Sequence, residues 1–256
     1  MLKVNRYLSF SYFAIILVIS GTCLAQDSHA DFRTQQLSSP RVANAWKKHN
    51  DIVKNNFLAH KLSWPAKDLY LRAFKSQNEL ELWARDHEDS TYRMVKLYKV
   101  CAISGVLGPK RQQGDKQVPE GYYFIEDFNP NSDYHLSLQL NYPNFSDLLM
   151  SGSKPGGDIY IHGGCLTVGC LPMNDDIISE IYVTCLNARL NGQEYIPVHI
   201  YPTRLNKNGI SYLKTEFAGN ASKLQFWAQL KRGFDYFEVN HKLQPVVYSP
   251  EGTYLN

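Results

Sequence analysis

The chain has 256 residues, 44% hydrophobic, 13% aromatic and 20% charged, long enough for one sizeable core in one or two domains. With 27 basic against 24 acidic residues it lacks the basic excess of a nucleic-acid binder and the low hydrophobicity of a disordered chain. Five cysteines are too few for a scaffold built on disulfides.

Residues 1–25 have the pattern of a secretory signal peptide: Lys3 and Arg6, an apolar run from Leu8 to Ile19, and Cys23-Leu24-Ala25 before Gln26. The run falls short of the roughly 20 residues of a transmembrane helix, which leaves an inner-membrane signal anchor as the alternative. Export from the cytoplasm is therefore expected. Removing the segment takes away two basic residues and no acidic one, so 25 face 24 and charge does not point to a partner. Cys101, Cys165, Cys170 and Cys185 remain in an oxidising compartment, where two disulfides, one or none are open.

Ser39-Pro40 reads as an N-cap followed by proline at the first helical position. Val42, Ala45, Trp46, His49 and Val53 then recur at three- and four-residue steps, predicting an amphipathic helix that ends before Pro65. Leu69, Leu71 and Phe74, then Leu80, Leu82 and Ala84, flank Lys75-Ser76-Gln77-Asn78 and predict a β-hairpin. Residues 92–103 continue as strand, and the four glycines and two prolines of 105–121 make a structured loop. Further strands are predicted over 122–125, 136–140, 159–162 and 195–201. Asn174 to Leu190 is the clearest helix, with caps and negative charge at its start and Gly192 after its end. A second helical stretch over 223–240 is predicted to be interrupted near Gly233. The sum is a mostly β (α+β) protein with flanking helices.

The chemistry concentrates in Ile161-His162-Gly163-Gly164-Cys165-Leu166-Thr167-Val168-Gly169-Cys170-Leu171-Pro172-Met173. A thiol just ahead of a helix and in reach of an imidazole is expected to have a lowered pKa and to act as a nucleophile. Glycine before it lets backbone N–H groups turn toward a developing oxyanion. Two blander options stand beside this: inert packed cysteine, and a zinc site from His162, Cys165 and Cys170 whose spacing does not match the paired-cysteine patterns.

His162-Gly163 followed by Thr167-x-Gly169-Cys170-Leu171 resembles the signature of L,D-transpeptidases with the YkuD-type catalytic domain, and Val118-Pro119-Glu120-Gly121-Tyr122-Tyr123 resembles that domain's Thr-Pro-x-Gly-x-Tyr strand start. The YafK subgroup, which includes a diaminopimelate–protein amidase, is more similar still. Its hallmarks resemble Ser104-Gly105-Val106-Leu107-Gly108-Pro109-Lys110, Gly114-Asp115, the 162–173 stretch and Phe226-Trp227-Ala228-Gln229-Leu230-Lys231. The likeness runs from about Ser39 to about His241. It implies a YkuD-type β-sandwich catalytic domain over 65–204, a helical segment over 26–64 and a C-terminal extension over 205–256 packed on the domain.

The resemblance further implies a periplasmic enzyme, needing no metal or other cofactor, that acts on peptidoglycan stem peptides containing meso-diaminopimelate. Cys170 matches the nucleophile and His162 the general base and acid. The Gly163 carbonyl would orient His162, and the N–H groups of Gly169 and Cys170 would form part of the oxyanion hole. Val168 and Pro172 stand where the broad family carries His and Arg, a departure shared with the subgroup. Lys110 and Arg111 are candidates to hold a substrate carboxylate, and Thr167 and Tyr122 to line the groove; each also reads as ordinary surface charge, a turn cap or packing. Cys185 reads as core. A Cys101–Cys165 pairing is open, and if Cys170 stays reduced at most one disulfide forms. The favoured activity is hydrolysis of the amide between diaminopimelate and an attached outer-membrane lipoprotein. The alternatives are transpeptidation, giving 3–3 crosslinks or lipoprotein attachment, and a non-catalytic peptidoglycan-binding regulator.

Overall fold

The structure, a computed structural model, describes residues 29–86 and 91–255; residues 1–25, expected to be a signal peptide, lie outside them. Residues 29–37 are helical (α1) and lead into α2 (Pro40–Ala59). Pro40 occupies the first turn, where its missing N–H costs nothing. Ser39 is extended, as an N-cap should be, but its hydroxyl donates to the Pro130 carbonyl (3.3 Å) rather than capping the helix. Val42, Ala45, His49, Val53 and Phe57 form the buried stripe.

β1 (Asp68–Phe74) and β2 (Glu79–Arg85) make the expected hairpin, closed by a 3-10 turn over Lys75–Gln77 and by Asn78 in the left-handed region. β3 (Arg93–Lys99), β4 (Gly121–Asn129), β5 (Ser137–Leu140) and the short α3 (Phe145–Met150) follow. Then come β6 (Tyr160–His162), β7 (Leu171–Pro172), α4 (Asp175–Leu190) and β8 (Ile196–Tyr201). Asn174 caps α4 by accepting from the Ile177 N–H. The chain closes with α5 (Lys207–Glu216), which the periodicity did not reveal, and α6 (Ala221–Asn240).

The eight strands among the described residues join one curled sheet in the order β3-β2-β1-β8-β4-β5-β6-β7. The last strand in sequence, β8, lies at the centre, parallel to β1 and antiparallel to β4. β6 and β7 form the far edge and are parallel, with Ile161 opposite Leu171 and His162 opposite Pro172. The loop 163–170 therefore leaves the end of one edge strand and returns to the start of the next.

Alternation along the strands sends side chains to the two faces of the sheet. Leu69, Leu71, Ala73, Val198 and Ile200 face one side, under α2 and α4. Phe74, Tyr122 and Tyr201 face the other, where Leu213 of α5 and Phe226, Trp227, Leu230 and Phe234 of α6 cover them. These are the flanking helices of an α+β fold.

α6 runs unbroken through Gly233, against the expected interruption. The glycine serves close packing instead: a Cβ there would stand 2.5 Å from the Tyr122 hydroxyl, which donates to the Leu230 carbonyl (3.0 Å). The glycine-rich loop is equally well determined. Lys75 Nζ, fully buried, pairs with Glu120 (2.9 Å) and donates to the carbonyls of Val106, Gly108 and Val118 at 2.9–3.1 Å. Trp227 Nε1 donates to the other Glu120 oxygen at 2.6 Å, so α6 and the loop share one buried charge. No helix among the described residues is long and apolar enough to cross a membrane.

Candidate active site

The edge strands bring His162 and Cys170 into one cleft of about 340 Å³, lined also by Tyr134, Ser137, Asp158 and Tyr160. His162 ends β6 and is 3% exposed. Its ring lies against Tyr134 (4.7 Å between centroids), and its backbone carbonyl accepts from the Met173 N–H at 2.7 Å. Nδ1 is 2.6 Å from the Gly163 carbonyl oxygen. Donation of Nδ1–H to that carbonyl leaves Nε2 with its lone pair. Burial holds the imidazole pKa below the ordinary histidine value, with the Gly163 carbonyl pulling the other way. The ring is therefore neutral at neutral pH and able to take a proton.

Cys170, half-buried, stands at the start of β7 and its Sγ donates to the Asp158 carbonyl at 3.6 Å. Burial pushes its pKa up, and the Asp158 carboxylate adds to this; the Tyr160 N–H and Lys110 pull it down without reversing it. This corrects the sequence expectation of a lowered pKa: desolvation outweighs the nearby donors and charge. Both shifts favour the uncharged forms, thiol and imidazole.

Short-range ties order the loop between them. Gly163 has no room for a side chain, since a Cβ would meet the Tyr134 carbonyl oxygen at 2.6 Å and Asp175 Oδ1 at 2.7 Å. That same Asp175 oxygen, on the first turn of α4, accepts from the Gly164 N–H at 2.9 Å. Cys165 forms a disulfide with Cys101, anchoring the loop to the segment after β3. This removes the zinc option through His162, Cys165 and Cys170, because the Cys165 sulfur is already bonded. Cys170 and Cys185 are free, and Cys185 is buried in the α4 core. Gly169 adopts φ +136°, a conformation open to glycine.

Thr167 closes the final turn. Its Oγ1 accepts from the N–H groups of Cys170 (2.9 Å) and Gly169 (3.2 Å) and donates to the Cys170 carbonyl (2.9 Å). The two donors expected at an oxyanion hole thus converge on one point, and in the free protein the Thr167 hydroxyl occupies it.

The remaining candidates lie elsewhere. Lys110 is buried, paired with Asp115 and donating to the Gln112 carbonyl (2.8 Å); it reaches Cys170 only through its field. Arg111 pairs with Asp147 at 2.6 Å and lines a separate cleft of about 440 Å³ beside Phe226. Tyr122 is buried under α6 and packs on His199 and Tyr254. None of the three lines the Cys170 cleft. Tyr134, Ser137 and Asp158 do, and sequence reading missed them. Ser137 faces His162 through the β5–β6 register, a relation invisible before the strands are paired. Asp158, two residues ahead of β6 after Gly156-Gly157, offered the only local signal.

No family model matches the chain. Over 189 residues it is 34% identical to the protein named as the L,D-transpeptidase YafK in Escherichia coli strain K12, spanning 73% of each chain, and equally to its namesake in Escherichia coli O157:H7. Among solved structures, it is similar to the helical cell shape determining protein Pgp2 from Campylobacter jejuni (22% identity, 53% of this chain and 48% of that one, TM-score 0.43). It is also similar to Bd1075 of Bdellovibrio bacteriovorus (18% identity, 68% and 64%, TM-score 0.40). Likenesses at these scores add nothing to what the sequence match establishes.

Proposed function

The chain belongs to the L,D-transpeptidase family, beside its YafK members, and on that premise we propose that it is a periplasmic cysteine hydrolase of peptidoglycan stem peptides. Its bond is the amide joining meso-diaminopimelate to the lysine of an attached outer-membrane lipoprotein. The observation that carries this reading is that Cys170 and His162 share one cleft, with His162 committed to the Gly163 carbonyl through Nδ1 alone.

Nε2 of His162 takes the Cys170 proton as sulfur attacks the diaminopimelyl carbonyl, so the charge pair forms only with substrate in place. The oxyanion is received by the Gly169 and Cys170 N–H groups once the Thr167 hydroxyl yields its position. The tetrahedral intermediate expels the lysine amine, which leaves with the proton from His162. Water then adds to the thioester, giving its proton to His162. Collapse restores the thiol and releases the free carboxylate. No metal enters these steps.

The name borne by the relatives favours a second reading equally, in which the same acyl-enzyme passes to an amine. Muropeptide mass spectrometry separates the two, since new diaminopimelate–diaminopimelate dimers mean transfer. The decisive test of the hydrolase is digestion of lipoprotein-loaded sacculi by the parent protein and by Cys170→Ala. Release by the parent alone is expected. Equal release by both overturns the assignment, and sacculus binding by both with no turnover makes the protein a binding regulator.

A further inference from the structure

The Cys170 cleft holds negative charge that, among the described residues, no cation meets in an ion pair. Asp133 and Asp158 both line it and both are exposed, while no Lys or Arg is among its lining residues. The contrast with the carboxylates of the neighbouring loop and helix is sharp: Asp115 is matched by Lys110, and Asp147 by Arg111.

Asp158 is the better placed of the two. It follows Pro155-Gly156-Gly157 and adopts φ +57°, a left-handed conformation that aspartate tolerates better than most residues. This turn puts both ends of the residue to use. Its carbonyl accepts from Cys170 Sγ at 3.6 Å, and its carboxylate stands 3.5 Å from the Tyr160 hydroxyl, inside the cleft. The carboxylate is thus fixed to the residue that touches the sulfur.

We propose that Asp158 selects the donor by binding a protonated amine of the acyl-donating residue, the free ammonium at the side-chain end of diaminopimelate. This rests on the stem-peptide reading above and adds the feature of the stem that is read. A stem whose side-chain amine is free carries the charge. A stem whose amine is already acylated in a crosslink has lost it and is passed over. Docking a cation on Asp158 also cancels a negative field at the sulfur, so that filling the donor site eases transfer of the thiol proton to His162. Selection and activation are then one event, and the thiol stays protonated in an empty cleft.

The test uses two synthetic stem peptides that end in a diaminopimelyl-lysine amide, one with the side-chain amine free and one with it acetylated. The readout is the ratio of their kcat/KM values, which cancels general effects of a substitution. The parent protein is expected to favour the free amine by about fivefold, the scale of a solvent-exposed ion pair. In Asp158→Asn and Asp158→Gly the ratio is expected to fall to near one. Asparagine and glycine both accept a positive φ, so neither strains the turn. A ratio unchanged in both variants overturns the proposal. If the parent turns over neither peptide, the hydrolase reading fails by itself. The affinity of Cys170→Ala protein for the two peptides, with and without Asp158→Asn, then still decides whether Asp158 reads the amine. Equal affinities in all four combinations overturn it.

Discussion

The sheet edge at Cys170 and the sheet centre under α6 are held together by opposite means. At the edge, β6 has three residues and β7 two, and Leu166 and Val168 of the intervening loop are 79% and 73% exposed. Order there comes from a disulfide, the Asp175–Gly164 bond, the Thr167 turn and a glycine that admits no Cβ. At the centre, Tyr70, Trp83, Trp227, Phe237 and Tyr254 are buried, with edge-on ring contacts at 4.9 Å joining Phe237 to Tyr70 and to Trp83. Apolar burial is roughly additive and insensitive to direction, whereas hydrogen bonds and covalent ties fix particular atoms. Apolar packing thus dominates at the centre, and directional or covalent ties that set the reactive geometry dominate at the edge. The reactive region keeps the capacity to rearrange that low local burial confers.

The largest effect expected on the edge alone is that of His162→Gln. Glutamine retains an N–H able to reach the Gly163 carbonyl but supplies no base. Turnover is expected to fall by about 10²- to 10⁴-fold, while the urea midpoint stays within error of the parent. The pH profile sharpens the assignment. His162 must be neutral to accept the thiol proton, and burial lowers its pKa from the usual value of about 6.5. Activity is therefore retained above that value and lost as pH falls through a point below it. The acid limb should vanish from the residual activity of the variant. A limb that persists there belongs to another group.

The converse change is Trp227→Ala. It opens a cavity in the C-terminal core and leaves a buried oxygen of Glu120 without its donor. A loss of about 3–5 kcal/mol is expected from chemical denaturation, with kcat per folded molecule unchanged. A large fall in kcat at full folding would show that the two regions are coupled through the glycine-rich loop, whose Gln117 carbonyl lies 3.2 Å from where a Gly169 Cβ would stand.

Replacing Cys101 and Cys165 together by serine tests the edge from its covalent side. The bond spans 64 positions, and its removal is expected to cost about 2–4 kcal/mol. Unlike Trp227→Ala it should also lower kcat per folded molecule, because Cys165 lies between His162 and Cys170 on a loop with little apolar cover. Unchanged kcat would leave the Asp175 and Thr167 ties as sufficient by themselves.

The same division explains what was legible in the sequence. Apolar spacing exposed α2, which buries a regular stripe, and also α4 and the β1–β2 hairpin, although these are buried on more than one face. It passed over α5, whose apolar content is small and which contains Gly209. It misjudged Gly233, because a glycine that breaks a helix and one that admits a neighbour's hydroxyl look alike until Tyr122 is in place. At the edge, His162-Gly163 and Gly169-Cys170 stood out by residue type and by resemblance. The partners that reach His162 from the β4–β5 turn and from the paired strand β5, Tyr134 and Ser137, carry no local mark. Lys75 and Glu120 show the limit most plainly: a lysine in a hairpin turn reads as solvated, and only the wrapping of residues 104–120 buries it.

The smallest expected effect is also the most discriminating for the edge. Thr167 Oγ1 sits where the Gly169 and Cys170 N–H groups converge, so an oxyanion that uses both donors must displace it. Thr167→Val keeps the shape and removes the hydroxyl. In the free protein the two donors lose their acceptor and the Cys170 carbonyl loses its donor, and a destabilisation of about 1 kcal/mol is expected. In the transition state the oxyanion replaces the lost acceptor, so kcat/KM should stay within about threefold of the parent by the same scale. Thr167→Ser should match the parent in both measures. If valine instead lowers kcat/KM by about a hundredfold, a change of ~2.7 kcal/mol, the hydroxyl is itself part of the catalytic arrangement. The oxyanion must then be received by other donors than Gly169 and Cys170.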